Sequence, residues 1–430
     1  MKPILITGGR VIDPACGIDV ITDVFLEDGR VSTTPPSPTM PDIEVIDAHG
    51  CVVCPGFIDL HCHLRQPGYE YKETIASGTR AAARGGFTTV CCMPNTDPPL
   101  DNAALISYVK DIATREGAVR VLPIGTITRG RKGEDLADLA ELARAGAVAF
   151  SDDGNCLPSA RLARRALDYA RPLGLPIIEH CEESTLADGG QMNEGIIATR
   201  LGLLGIPCAA EEIAVARDII LAELTKARLH IAHVSTAGTV ELIRHAKQRG
   251  VPVTAEVTPH HLTLTDESVL QYNTQAKVNP PLRTRHDVDA LIAGLRDGTI
   301  DAIATDHAPH TLNDKLCEFA TAPFGISGLE TALGCLMGLV HTHKLDLPVL
   351  IRRLTMGPAS VLGSKYAGIG SLALGASADV VIFDTDATWT VDSATFVSNG
   401  HNTPLDGTTL KGKVRLTIYN GEIIYRDRGF

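Results

Sequence analysis

The segment Phe57-Ile58-Asp59-Leu60-His61-Cys62-His63 carries two histidines two positions apart. In an extended strand, residues i and i+2 point to the same side, so His61 and His63 can offer two imidazoles to one point. Imidazole is the commonest side-chain metal ligand. Alone, the pair is a weak signal and is better read as two polar residues leaving a strand. Four further residues change that weighting. Asp153 ends the run Ala149-Phe150-Ser151-Asp152, and His180 ends Ile177-Ile178-Glu179. His233 follows His230-Ile231-Ala232, and Asp306 follows Ile303-Ala304-Thr305. Histidines and aspartates together suit Zn²⁺, which takes N and O ligands at about 2.0–2.2 Å. His230, three residues before His233, falls on the opposite side of an alternating strand and reads as structural. Asp152 and Asp153 compete for one role, and periodicity does not choose between them.

Residues so far apart in sequence need a scaffold that brings strand ends together. Short apolar runs begin near Phe57, Phe87, Arg120, Ala147, Pro176, Arg228, Pro252 and Asp301. Each has the near-continuous apolar or β-branched character of a parallel strand covered on both faces. Between them lie helix-like stretches over 134–145, 159–170, 211–227 and 239–248, with Gly85-Gly86, Gly146, Gly174 and Gly250 where C-caps belong. This α/β alternation predicts a (β/α)₈ TIM-type barrel over 53–364, whose catalytic groups gather at the strand C-termini. Long insertions follow the strands at Ile177 and Val253, on that same face.

The two ends differ from the middle. Residues 1–52 carry short strands and the turn Glu27-Asp28-Gly29-Arg30; after 365 come the strand Ala378–Phe383 and the hairpin signal Tyr419-Asn420-Gly421-Glu422. Neither end has enough strands for a stable sheet alone. We expect one small β-sandwich domain built from 1–52 and 365–430, with the barrel inserted between.

With 44% hydrophobic and 21% charged residues, the 430-residue chain can bury a large core and stay in solution. A net charge of −12 without a Lys/Arg cluster argues against nucleic acid or an anionic membrane as partner. No apolar run approaches the roughly 20 residues of a membrane span, and the start lacks a signal-peptide core. The eleven cysteines make one C-x-x-C, Cys51/Cys54, with no second pair at zinc-ribbon spacing, and an odd number fits a disulfide framework poorly. Cytoplasmic location, with thiols buried as small hydrophobes, is the expectation.

The motif Gly56-Phe57-Ile58-Asp59-Leu60-His61-Cys62-His63-Leu64-Arg65 resembles the first-strand signature of dihydroorotases, of the class I bacterial type in the amidohydrolase superfamily. So do Met93-Pro94-Asn95-Thr96, Asn279-Pro280-Pro281-Leu282-Arg283, Ala304-Thr305-Asp306-His307-Ala308-Pro309-His310 and the stretch from Pro323 to Thr331. The resemblance spans nearly the whole chain and reaches Asn402-Thr403-Pro404. It implies a barrel of the metal-dependent hydrolase kind, with zinc, one or two ions per chain. It gives His61, His63, Asp153 and Asp306 to one ion, and Asp153, His180 and His233 to the other. Asp153 stands where many superfamily members carry a carboxylated lysine; no lysine occurs between Lys132 and Lys226, so a modified lysine is excluded. The resemblance further implies substrate contacts from Arg65, Asn95, Asn279 and His310, with the backbone at Phe324-Gly325. Arg65 continues the alternation of His61 and His63, and a guanidinium grips a carboxylate bidentately.

The implied reaction is the reversible closure of N-carbamoyl-L-aspartate to L-dihydroorotate, with Asp306 as catalytic proton carrier. A homodimer and an association with aspartate transcarbamoylase are further implications. The competing readings are a hydantoinase or allantoinase, and a non-catalytic scaffold for the transcarbamoylase. Arg65 and Asp153 disfavour the first, and the intact ligand set disfavours the second.

Overall fold

The computed structural model describes residues 2–32 and 43–430. Met1 and residues 33–42, part of the expected terminal β-domain, lie outside them. Three parallel strands, Phe57–Cys62, Phe87–Cys92 and Arg120–Pro123, pair in chain order. Four more, Ile177–Glu179, Leu229–Ile231, Val253–Val257 and Ala302–Ile303, do the same. Phe150 bridges Gly125 on one side and Ile177 on the other, and Cys62 bridges His307. The eight segments therefore neighbour one another around a ring. Every residue of Phe57–Cys62 and Phe87–Cys92 is buried, as strands flanked on both faces must be.

The run near Ala147 differs from its expectation. It makes bridges at Phe150 alone and not a strand, because it is confined between the left-handed cap at Gly146 and the turn closed by Asn155 N–H on Asp152 O. Its backbone groups are nevertheless paired: Val148 N–H donates to Pro123 O at 3.0 Å, and Ile178 N–H to Phe150 O at 2.8 Å.

Helices cover the ring, and their starts follow capping side chains. Ser159 accepts from Leu162 N–H ahead of Ala160–Ala170, and Thr236 from Thr239 N–H ahead of Ala237–Gln248. The helix expected from Glu134 starts later, as Leu139–Ala145, because Asp138 caps it. The helix expected from Glu211 starts earlier, at Cys208, and runs to Thr225. No helix among the described residues is long and apolar enough to cross a membrane.

The two termini share one eight-stranded sheet. Val52–Pro55 stitches them, lying parallel to Arg10–Val11 and antiparallel to Val380–Phe383. The two hairpin signals form the turns they predict. Asp28 and Gly29 lie at φ 49° and 73°, Asn420 and Gly421 at 50° and 80°, the paired positive values of a type I′ turn. This sheet has its own core, including Ile4, Ile6, Val53, Val380 and Ile418. Between its strands Val380–Thr390 and Thr409–Tyr419 the chain leaves the sheet and crosses to the mouth of the ring, where Glu330 accepts the amides of Val397 and Ser398.

Candidate active site

The six residues expected to bind metal all sit at or just past the C-termini of ring strands, and all are at most 5% exposed. His61 Nε2 lies 3.3 Å from Asp153 Oδ1 and 3.4 Å from Asp306 Oδ1. His63 Nε2 lies 3.0 Å from Asp306 Oδ1 and 3.6 Å from Asp153 Oδ2. His233 Nε2 approaches Asp153 Oδ1 at 3.5 Å and His180 Nδ1 at 2.9 Å. Ligand atoms of His61, His63 and Asp306 fall within 4.8 Å of one another, as do those of His61, Asp153 and His233. His180 belongs to neither trio; its Nδ1 is 3.9 Å from Asp153 Oδ1. His61 Nε2, Asp153 Oδ1 and His233 Nδ1 are buried without a hydrogen-bond partner. Burying such atoms unpaired is costly. The close approach of the unpartnered His61 Nε2 and Asp153 Oδ1, at 3.3 Å, within the two trios is what ligand atoms aimed at a common cation would show, so the residues fit a metal ion. Burial alone would raise the Asp153 and Asp306 carboxyls, but His61 and the adjoining imidazoles hold both below the ordinary carboxylate range. His233 (φ 31°) and Asp306 (φ 46°) are held in the left-handed region, a local strain that persists only where surroundings impose it.

The outer layer explains what the sequence left open. Asp152 Oδ1 accepts the amides of Ile127 and Thr128 at 2.9 and 3.1 Å, tying strand ends together and leaving Asp153 to face the cluster. Asp59 does the same for Thr305, through its amide at 2.8 Å and hydroxyl at 2.5 Å. His61 Nδ1 meets Glu256 Oε1 at 2.8 Å, and Glu256 Oε2 meets His230 Nε2 at 3.1 Å. Burial opposes ionisation of Glu256, but these histidines hold its carboxyl down at about 2. His230 is thus structural, as read, and orients His61 through Glu256. Glu256 was missed by sequence reasoning; its signal was a carboxylate inside the apolar run Val253–Val257. His260, also missed, is buried with Nε2 unpartnered.

A cavity of about 220 Å³ opens above this cluster. Arg65, Asn95, Asn279, His310, Phe324 and Gly325 all line it, together with His63, Asp153, His180, His233 and Asp306. Arg65 arrives differently from its expectation: the strand ends at Cys62, and Arg65 sits at φ 61° in the loop beyond. A turn, not strand alternation, aims it. Among the described residues its guanidinium donates to a carbonyl (Pro309 O, 3.3 Å), lies 3.5 Å from the His310 Nε2 without a hydrogen bond to it, and has no carboxylate partner. Asn95 Oδ1 meets His63 Nδ1 at 2.9 Å, leaving Nε2 for the cluster. Asn279 Oδ1 is buried without a partner. His310 Nε2–H donates to Phe324 O at 2.8 Å, and Nδ1 accepts from Lys72 Nζ at 3.3 Å. Burial, then Arg65 and Lys72, push this imidazole down to about 2, so it is neutral. A second cavity, about 560 Å³, lies against the terminal sheet, but its lining is mostly apolar and brings together no comparable set of titratable groups.

The chain superposes on the solved L-hydantoinase of Arthrobacter aurescens with a TM-score of 0.88 and 26% identity, covering 99% of this chain and 96% of that one. Fold and cluster together define an amidohydrolase-type protein. A family model described as Dihydro-orotase-like matches residues 50–239. A dihydroorotase of Pelotomaculum thermopropionicum is 54% identical over 99% of each chain. One of Caldanaerobacter subterraneus subsp. tengcongensis is 53% identical over 98% of this chain and 97% of its own. The chain belongs to the dihydroorotase family.

Proposed function

We propose that this protein is an active, zinc-dependent dihydroorotase that interconverts N-carbamoyl-L-aspartate and L-dihydroorotate in pyrimidine biosynthesis, in the cytoplasm. The observation that carries the reading is Arg65, a half-buried guanidinium without a carboxylate partner among the described residues, opening onto the same cavity as Asp306. Dihydroorotate brings the missing carboxylate. A hydantoinase acting on uncharged rings has no use for such a group.

In this reading His61, His63, Asp153 and Asp306 hold one zinc ion, and Asp153, His180 and His233 hold a second where present. Bound zinc supplies Lewis acidity and lowers the pKa of water from 15.7 towards about 7. In the hydrolytic direction Asp306, ionised at neutral pH, accepts the proton of the attacking water and delivers it to the departing ring nitrogen. Arg65 holds the carboxylate, while Asn95, Asn279, His310 and the backbone at Phe324-Gly325 fix the ring. Closure consumes a proton, because the open form has two carboxylates and the ring one. Acid therefore favours dihydroorotate and alkali the open form.

The ring of parallel segments is, on this reading, the (β/α)₈ barrel of metal-dependent hydrolases, spanning 53–364. Residues 1–52 and 365–430 make the composite β-sandwich domain, whose sheet also takes in Val53, Cys54 and Pro55 at the start of the barrel segment. A homodimer, and contact with aspartate transcarbamoylase, are parts of the same proposal that a mass measurement with and without the transcarbamoylase would test. The function itself is tested by zinc-dependent hydrolysis of dihydroorotate; a fully metallated protein without that activity would sink it.

A further inference from the structure

The excursion between Val380–Thr390 and Thr409–Tyr419 includes Asn402, which is 2% exposed. Its Oδ1 accepts the His310 amide at 2.8 Å and the Ser327 hydroxyl at 2.8 Å. Its Nδ2 donates to Ala308 O and Gly325 O, both at 3.0 Å. A carboxamide has two acceptor lone pairs and two N–H donors, so all four are used. The backbone carbonyl of Asn402 takes a fifth bond, from Ser327 N–H at 2.7 Å. These partners belong to two separate segments. Ala308 to His310 follow directly on Asp306; Gly325 to Ser327 come from the loop beyond. The segments approach closely: a Cβ on Gly325 would lie 2.8 Å from both Cβ and O of Ala308. His310, Phe324 and Gly325 line the cavity, whereas Asn402 does not.

We infer that Asn402 is a positioning residue for substrate binding. It locks the two segments at one spacing, so that His310 and the Phe324-Gly325 backbone present a fixed edge to the ring. The inference rests on the dihydroorotase reading for the identity of that ring. The metal cluster has a support that Asn402 does not touch: Asp59 accepts the Thr305 amide at 2.8 Å and its hydroxyl at 2.5 Å. Loss of Asn402 should therefore act on KM far more than on metal content or turnover. The terminal sheet, through its excursion, becomes part of the binding machinery.

The test uses zinc-loaded full-length protein with N402A and N402D, assayed for dihydroorotate hydrolysis and zinc content. Aspartate keeps the size and the Oδ1 acceptor but sets an oxygen against two carbonyls. A space-filling role would therefore spare N402D. We expect both variants to raise KM by roughly tenfold or more, with kcat within about threefold and zinc content unchanged, since small misplacements at a site are costly. Amide exchange at His310 and Ser327 should accelerate in N402A while the ring strands stay protected. A KM within about twofold of wild type in either variant, or a loss of zinc in parallel with KM, overturns the inference. If neither variant folds, S327A removes one donor to Oδ1 and should raise KM by about twofold or more; an unchanged KM there overturns it. If wild type itself fails to hydrolyse dihydroorotate, the functional reading falls separately. Amide exchange then decides: faster exchange at His310 upholds the brace, and unchanged protection refutes it.

Discussion

The mouth of the ring and the terminal sheet treat charge in opposite ways. In the sheet, Asp427 is met by Lys413 at 2.8 Å and Arg415 at 2.8 Å, and Arg415 also reaches Asp384 at 3.0 Å. Asp379 takes Arg120 at 2.7 Å. There each of these three carboxylates has its cation, and the buried Asp13 is met by the Ser371 hydroxyl and the Leu372 amide. At the mouth, His61 Nε2, Asp153 Oδ1, His233 Nδ1 and Asn279 Oδ1 are buried without partners among the described residues, and Arg65 has no carboxylate among them. Natural folds satisfy nearly all buried polar atoms. On the proposed reading, this cluster of exceptions in and beneath one cavity marks groups kept for something the chain does not supply: a cation below, an anion above.

Removing the metal should break this contrast most completely. Chelation is expected to abolish activity, and zinc alone should restore it, with no response to bicarbonate, since Asp153 needs no carboxylation. A bicarbonate requirement during reloading would contradict that role. Next in size, Asp306→Asn should retain the fold and most of the metal yet lose about 10²–10⁴-fold in kcat, the usual range for a positioned base. Retention of more than about a tenth of wild-type turnover would remove Asp306 as proton carrier. Arg65→Met should cost at least tenfold in kcat/KM for dihydroorotate, because a charge-assisted hydrogen bond contributes roughly 1.5–3 kcal/mol and about 1.4 kcal/mol is a factor of ten. The smallest effect belongs to the sheet. Lys413 and Arg415 overcome the burial that would raise the Asp427 carboxyl and hold it below its ordinary value. A depressed folded pKa stabilises above the unfolded value of about 3.9 and is lost as pH falls through the folded one. Asp427→Asn should therefore cost about 1 kcal/mol or less at neutral pH. Denaturant melts should show that gap closing in acid, with kcat/KM unchanged throughout.

Much of the site was legible because its residues obey two local rules, strand alternation and placement at strand ends. His61 and His63 show the first; His180, His233 and Asp306 show the second. Asp152 and Asp153 mark the limit. Both end the same run, and only the amides of Ile127 and Thr128, supplied by another segment, distinguish the brace from the proposed ligand. Glu256 was hidden for a related reason: its partners His61 and His230 come from two other strands. Arg65 was found through a motif but misplaced by periodicity, since the strand stops three residues earlier. In the fold, the Asp28-Gly29 and Asn420-Gly421 turns were readable from residue chemistry. The fourth run near Ala147 was read as a strand because apolar patterning does not report how little length the flanking turns allow.

The central claim is that the cavity is built for a cyclic amide bearing a carboxylate. It is tested most directly by comparing kcat/KM of the zinc-loaded wild type for dihydroorotate and for dihydrouracil, the same ring without the carboxylate. Hydrolysis of dihydroorotate should exceed that of dihydrouracil by at least tenfold, and Arg65→Met should shrink the gap by weakening only the former. A wild type that prefers dihydrouracil, or a substitution that weakens both equally, would contradict the account.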